Sequence, residues 1–429
     1  MAINIIRNQT NSEEVILDVM SSNESPLRRL GIRWAESPSG AGHTRGVVPF
    51  MRRLKSLTLM LLVVSESAVL LRSQNDLAAQ ASELMRNGKF HDAELIWRQL
   101  EVKYPKNVSV HNALGFTLAQ EGQLASATAE YRKSLALDPH QTDVSLNLGL
   151  AEFKQGHFAA AVPAFEAVTK ARPEDQRAVL LLGMSHYGLH SYAKATPYLQ
   201  KAIASDPSNL ELRNTLAQNC LWAKQYDCAM DEFKSILAAN PDAVQAHMLF
   251  AQALDATDKT PEAIQELEEA ARLSPREPVL HFELGYLYYK QRDPDKAKQE
   301  FELEIKNNPG YAQSYLYLGD IALHSNDNAA AEPLLKKAVE LQDESRLVYL
   351  DLGSIYADQS RNQEAVAALK HAIALDPAQP DAHYRLARLY SAIGEKDKAA
   401  QEFARTKQLH SEKEDSLIEK VSGGGLPPN

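Results

Sequence analysis

One alanine recurs every 34 residues through most of this chain: Ala93, Ala127, Ala161, Ala195, Ala229, Ala263, Ala297, Ala331, Ala365 and Ala399, without insertion or deletion. With that alanine at position 20 of a unit that begins at Gln74, other positions keep the same phase. Position 8 is always small: Ala81, Gly115, Gly149, Gly183, Ala217, Ala251, Gly285, Gly319, Gly353 and Ala387. Position 24 is always large and apolar, from Trp97 and Tyr131 to Leu369 and Phe403. Position 7 is Leu in eight units, with Gln80 and Phe250 departing, and position 32 is Pro in eight, with Asp343 and Ser411 departing.

The spacing predicts two helices per unit. Residues three and four apart share one face of an α-helix, so positions 4, 7, 8 and 11 form one apolar stripe and positions 20, 24 and 27 a second. A small residue at 8 and Ala at 20 predict that the two backbones approach closely in an antiparallel hairpin. Gly88, Gly122, Gly156 and Gly394 fall between the helices at position 15, where a helix C-terminus favours glycine. Pro at position 32 ends the second helix. Thr260-Pro261 and Asp293-Pro294 predict an N-cap followed by Pro at the first helical position. Pro163, Pro197 and Pro333 sit at position 22, where the lost hydrogen bond reaches only the first turn and the cost is mild. A single hairpin cannot bury its stripe alone, so the pattern predicts an all-α solenoid of stacked hairpins. The polar run 411–420 reads as the solvated end of that array, and 414–429 as a polar cap and flexible tail.

The pattern resembles the tetratricopeptide repeat family, a 34-residue helix–turn–helix with small residues at 8 and 20, large ones at 24 and Pro at 32. Ten units cover 74–413: 74–107, 108–141, 142–175, 176–209, 210–243, 244–277, 278–311, 312–345, 346–379 and 380–413. The chain departs from the family at position 4, where His111, His247, His281 and His383 appear, and at position 27, where Ser134, Glu304 and Thr406 appear.

The resemblance implies a right-handed superhelix lined inside by first helices. It implies a non-catalytic protein–protein interaction scaffold whose ligand contacts positions 2, 5, 6, 9, 12 and 13. Those positions hold Phe116, Leu146, Leu150, Phe153, Met184, Tyr187, Trp222, Met248, Phe282, Tyr286, Tyr289, Tyr317 and Tyr384. Large apolar side chains there suit an extended or helical peptide, although some are expected to pack against neighbouring first helices instead. The aromatics from Phe282 to Tyr317 are the strongest candidates, because they cluster over two adjacent units. Neither the Lys/Asn set of the heat-shock chaperone clamp nor the asparagine ladder of O-GlcNAc transferase is present, Asn147 alone standing at position 6 in the latter's manner. The implied partner is a protein or peptide, with no small-molecule substrate and no cofactor. The alternative is an accessory subunit that recruits or positions a separately encoded glycosyltransferase or peptidase in an envelope or secretion pathway.

Charge and the first seventy residues modify this picture. The net charge is −10; residues 1–73 hold nine basic and six acidic side chains, a balance of +3, which leaves the rest at −13. An acidic body lacks the clustered Lys and Arg that neutralise nucleic-acid phosphates. Residues 1–50 show no helical or strand period and read as a disordered leader or a mis-called upstream extension. From Met51, the basic stretch Met51-Arg52-Arg53-Leu54-Lys55 precedes the apolar run 57–64 and then Ser65-Glu66-Ser67, the layout of a secretory signal peptide. The other reading of 51–73 is a cap over the first repeat. Its apolar run is too short to span a bilayer, so membrane association is expected only through this segment left uncleaved. Cleavage would make this an exported, periplasmic or envelope protein of a bacterium; otherwise the protein is cytoplasmic.

No Gly-rich phosphate loop, His-Glu-x-x-His or nucleophile elbow occurs in the sequence, so no catalytic residue is expected. The position-4 histidines are expected to pack rather than ligate. His186 and His190, four apart on one helix, form a possible metal pair, but His186 falls at a packing position, so no metal site is expected. Cys220 and Cys228 occupy positions 11 and 19, mirrored about a hairpin turn. They are placed to form a disulfide in an oxidising compartment, and read as buried small residues otherwise.

Overall fold

The structure is a computed structural model that describes residues 76–341 and 344–422. The leader, the segment read as a signal peptide and the tail beyond 422 lie outside the described residues. Within them the chain is helical with no strand. The first helices of the ten units are α1 (76–86), α3 (Val108–Gln120), α5 (Thr142–Lys154), α7 (Gln176–Gly188), α9 (Leu210–Trp222), α11 (Val244–Asp255), α13 (Leu280–Lys290), α15 (Ala312–His324), α17 (Arg346–Asp358) and α19 (Pro380–Ala392). The second helices are α2 (Phe90–Lys103), α4 (Leu124–Leu137), α6 (Phe158–Ala171), α8 (Tyr192–Ser205), α10 (Tyr226–Ala239), α12 (Thr260–Leu273), α14 (Pro294–Asn307), α16 (Asn328–Glu340), α18 (Asn362–Leu375) and α20 (Lys396–Ser422). α6, α8 and α16 run unbroken through Pro163, Pro197 and Pro333.

From α3 on, each first helix packs on its own second helix, and from α2 on, each second helix packs on the next first helix, giving an all-α solenoid. The reason for glycine at position 8 is direct. A Cβ on Gly115, Gly149 or Gly285 would lie 2.6–2.8 Å from ring carbons of Tyr131, Phe165 or Phe301, and one on Gly319 or Gly353 would lie 2.7 Å from Leu335 or Leu369. The large side chain at 24 therefore fills the space that the missing methyl leaves. Every alanine at position 20 is buried in the same seam. Phe403 differs: it is 40% exposed, because no further hairpin covers the last unit among the described residues.

Position 15 is left-handed in all ten units. Gly88, Gly122, Gly156 and Gly394 supply this conformation, but so do His190, Lys224, Asp258, Arg292, Asn326 and Ser360, with φ between 54° and 63°. The following N–H reaches back five residues in each turn, for example Gln123 to the Leu118 carbonyl at 2.9 Å and Gln225 to Cys220 at 2.8 Å. This is the Schellman closure of a helix end. At six turns it imposes a conformation that costs a side-chain-bearing residue roughly 1–2 kcal/mol. The expected cap at Thr260 is not made. α12 begins at Thr260 itself, whose hydroxyl donates to Asp255 at 2.8 Å. Asp293 does cap α14, its carboxylate accepting the Lys296 N–H at 3.2 Å.

Position 4 departs most from simple packing. Nδ1 of His111, His247 and His281 meets the carboxylates of Glu130, Glu266 and Glu300 at 2.6–2.7 Å, and Nε2 meets the carbonyls of Pro105, Pro241 and Pro275 at 2.9–3.0 Å. Arg213 makes the same bridge to Glu232 and to the Pro207 carbonyl. His383 pairs with Glu402, but its Nε2 is buried without a partner. The partner is always position 23, nineteen residues on. At the three bridged histidines, the ring ties the end of one unit to the hairpin of the next. At His281 both partners are acceptors, so both ring nitrogens carry a proton, and Glu300 holds its pKa above the ordinary histidine value.

Unit seven has a local irregularity. Val279 stands before α13 with φ 70°, an outlier for a β-branched residue, and the buried Glu304 accepts its N–H at 3.1 Å. Glu304 thus occupies position 27 as an internal cap, not as a packing residue.

Candidate binding groove

Successive first helices touch one another: α3 with α5, α5 with α7, α9 with α11, α15 with α17 and α17 with α19. No two second helices approach to the same degree among the described residues. Rows that touch along one side and spread along the other must curve, so the first helices line the inner face. That places positions 5, 6, 9, 12 and 13 on a common surface.

The structure divides the residues expected there into two groups. Phe153, Met184, Tyr187, Met248 and Phe282 are buried, which corrects their reading as open groove residues. Their rings and chains fill the spaces between hairpins. Phe153 stacks edge-on against Phe158 and lies 6.5 Å from Phe165. Tyr187 packs on Tyr192 and Trp222, with centroids 5.7–5.8 Å apart. Phe282 sits among Phe301, Tyr311 and Tyr317. Leu146, Leu150, Trp222, Tyr286, Tyr289 and Tyr317 are half-buried, and Phe116 and Tyr384 are exposed. These eight make up the accessible surface.

Half-buried aromatics concentrate over α13 and α15. Tyr286 meets Tyr317 edge-on at 5.6 Å, and Tyr289 meets Tyr317 at 5.2 Å. The Tyr289 hydroxyl donates to Asp320, whose other carboxylate oxygen lies 3.1 Å from His324 Nδ1. Three carboxylates at the same inner positions escaped the sequence reading: Glu283, Asp320 and Asp351. Removal from water raises the Glu283 carboxyl to about 7, with the charge of Glu304 adding to the effect. Burial likewise raises Asp351 to about 7, reinforced by the charge of Asp320. The signal was available, since these residues occupy positions 6 and 9, but attention to apolar side chains passed over it.

The remaining candidates are resolved by local geometry. Cys220 and Cys228 form a disulfide across the α9–α10 turn, with Cα atoms 5.8 Å apart. His190 bonds to the Tyr192 hydroxyl at 2.7 Å, and the His186 ring stacks on Tyr198. Two other clusters bring metal-type ligands together: His91 with Glu94 and Glu121, and Glu101 with His111 and Glu130. In the second, the Lys133 ammonium bonds both carboxylates at 2.7 Å. In the first, Arg98 holds Glu94 at 2.6 Å. In each cluster a cation of the protein's own is therefore already bonded to at least one of the carboxylates. No helix among the described residues is long and apolar enough to cross a membrane.

Family profiles agree with the register. Profiles described as "Tetratricopeptide repeat" match residues 78–142, 146–209 and 282–345, residues 186–253, and residues 381–412, and one described as "TPR repeat" matches 353–394. Together they cover well over half of the chain. The chain belongs to the tetratricopeptide repeat family. No curated protein matches this repeat protein in sequence. Solved structures similar to it include YrrB, described as a TPR protein with an unusual peptide-binding site (20% identity, 44% of this chain and 97% of that one, TM-score 0.37). Others are the C-terminal part of a TPR repeat-containing protein from Cytophaga hutchinsonii (19%, 56% and 98%, 0.46) and yeast Tom70 (14%, 82% and 96%, 0.36).

Proposed function

We propose that this tetratricopeptide-repeat protein is a non-catalytic scaffold that binds a peptide or protein segment along its inner face, chiefly over α13 and α15. One observation carries the reading. Tyr286, Tyr289 and Tyr317 stay half-exposed side by side on that face, whereas Phe153 and Tyr187, at the repeat position that Tyr289 occupies, are tucked under their neighbours. Large aromatic rings grouped at the centre of a concave surface are the usual anchors of protein interfaces. The family's repeats supply the rigid support.

A second feature supports a structural and not a chemical role for the rest of the array. The histidines and the one arginine of position 4 and the glutamates of position 23 are engaged with one another in holding the hairpins together. The Met51 segment makes export to a bacterial envelope the setting that we propose. A native protein whose amino terminus lies near Ala68 supports that proposal, and an intact start at Met1 overturns it.

The binding reading is tested by affinity capture from the native cell with wild-type protein and with Tyr286→Ala plus Tyr289→Ala. Partner recovery should fall at least tenfold in the double variant while its melting temperature stays within a few degrees. Unchanged recovery overturns the assignment of this surface.

A further inference from the structure

Along the inner face, position 9 of one unit meets position 6 of the next. The register repeats over the last four junctions. Gln252 donates to Glu283 at 3.0 Å. Tyr286 stacks edge-on with Tyr317. Arg385 donates to Ser354. Three of these pairs are complementary; the remaining one, Asp320 with Asp351, brings two carboxylates together where α15 touches α17. Their mutual influence is direct, since the charge of Asp320 raises the carboxyl of Asp351.

Asp351 is the exceptional member. It is 4% exposed, yet its ion-pair partner among the described residues, Arg385, stands 3.9 Å away and spends its hydrogen bond on Ser354. A carboxylate in such a place, served only by a distant ion pair, has capacity left for a closer donor. Asp320, by contrast, is bonded by Tyr289 and flanked by His324. Beside this pair lie the rings of Tyr289 and Tyr317, whose faces attract organic cations. The carboxylates are therefore one wall, and the rings the other, of a site for positive charge.

We infer that the groove takes a partner segment bearing a lysine or arginine side chain, whose cationic head lies against Asp320 and Asp351 with its stem on Tyr289 and Tyr317. This rests on the groove reading above and specifies the chemistry of its occupant. A metal ion fits less well. The clusters whose ligand atoms converge closely enough for one lie elsewhere, at His91 and at His111, and a bare ion would gain nothing from the tyrosine stems. The acidic body of the chain, at −13 beyond residue 73, favours the approach of a basic segment as well.

The probe is a phage-displayed random dodecapeptide library, panned against the full chain without added metal. Selected peptides should carry Lys or Arg at one fixed position. Replacing that residue by norleucine or citrulline should weaken binding by about ten- to a hundredfold. Asp351→Asn should weaken the parent peptide by a similar factor while leaving the substituted peptide unaffected, so that the two changes are not additive. Asp320→Asn provides the same cycle should Asp351→Asn fail to fold. Peptides that need Tyr286 and Tyr289 yet show no basic preference would overturn this inference and leave the groove reading standing. Peptides whose binding is abolished by a chelator would overturn it in favour of a metal. A library that yields no peptide dependent on the tyrosines would overturn both readings.

Discussion

The inner face of this solenoid contains two stretches built to one pattern with opposite outcomes. From α5 to α9, Phe153, Met184 and Tyr187 are buried and the rings of Tyr187, Tyr192 and Trp222 pack on one another. From α13 to α17, Tyr286, Tyr289 and Tyr317 remain accessible and have carboxylates beside them. The backbone register is the same in both. What differs is how far the ring is covered: Tyr187 lies between Tyr192 and Trp222, whereas Tyr286 and Tyr289 meet only the edge of Tyr317 in the next unit and stay half-exposed. An aromatic at one of these inner positions is thus a packing staple in one unit and an accessible ring in another, and burial decides which.

That contrast is open to attack in order of expected effect. Tyr187→Ala removes a nearly fully buried ring and should destabilise the protein by about 3–5 kcal/mol, read as the shift of a denaturant midpoint. Tyr286→Ala should cost far less stability and act on binding instead. Equal losses for the two would erase the distinction. The disulfide reinforces the packed stretch at the α9–α10 turn. Closing a loop this short contributes roughly 2–3 kcal/mol in the chain-entropy account, so Cys220→Ala plus Cys228→Ala should lower stability by that amount in unreduced protein. Thiol titration of the unfolded, unreduced chain should find no free cysteine.

The junction into α13 introduces pH. His281 bridges Glu300 and the Pro275 carbonyl, and its folded pKa is raised. A histidine whose folded pKa is raised stabilises fully below its unfolded value of about 6.5, and that contribution fades as pH rises through the folded value. His281→Gln should therefore cost about 1–3 kcal/mol at pH 5.5, and the gap to wild type should narrow as the pH is raised above 6.5. A gap independent of pH would show that the ring is not held as a cation. The smallest effect concerns the turns. Lys224→Gly or Arg292→Gly relieves a left-handed side-chain-bearing residue and should raise stability by about 0.5–1 kcal/mol.

Much of the fold was legible because helix spacing and the strict 34-residue phase are properties of the chain itself. Small residues at 8 and 20 and large ones at 24 describe one seam. The turn conformation was legible only where glycine marked it. At His190 or Asn326 the Schellman bonds impose it regardless of the side chain, so no residue type announces it. The bridges of position 4 were written in the sequence as well. His111 with Glu130, Arg213 with Glu232, His247 with Glu266, His281 with Glu300 and His383 with Glu402 all stand nineteen apart, and each such basic residue has its glutamate. Reading position 4 as an aromatic slot hid the pairing. The groove was legible only as a set of positions. Whether Tyr187 or Tyr286 reaches solvent depends on the neighbouring unit's side chains, which periodicity does not weigh.

The central claim is that the accessible tyrosines of α13 and α15, and not the outer helices, meet the partner. The direct measurement places a photoreactive benzoylphenylalanine at Tyr286, Tyr317, Tyr187 or Val102 in turn, the last being 83% exposed on α2, and irradiates the native cell. The account predicts a discrete cross-linked polypeptide from positions 286 and 317 and none from 187 or 102. Cross-links from Val102 with none from Tyr286 would contradict it.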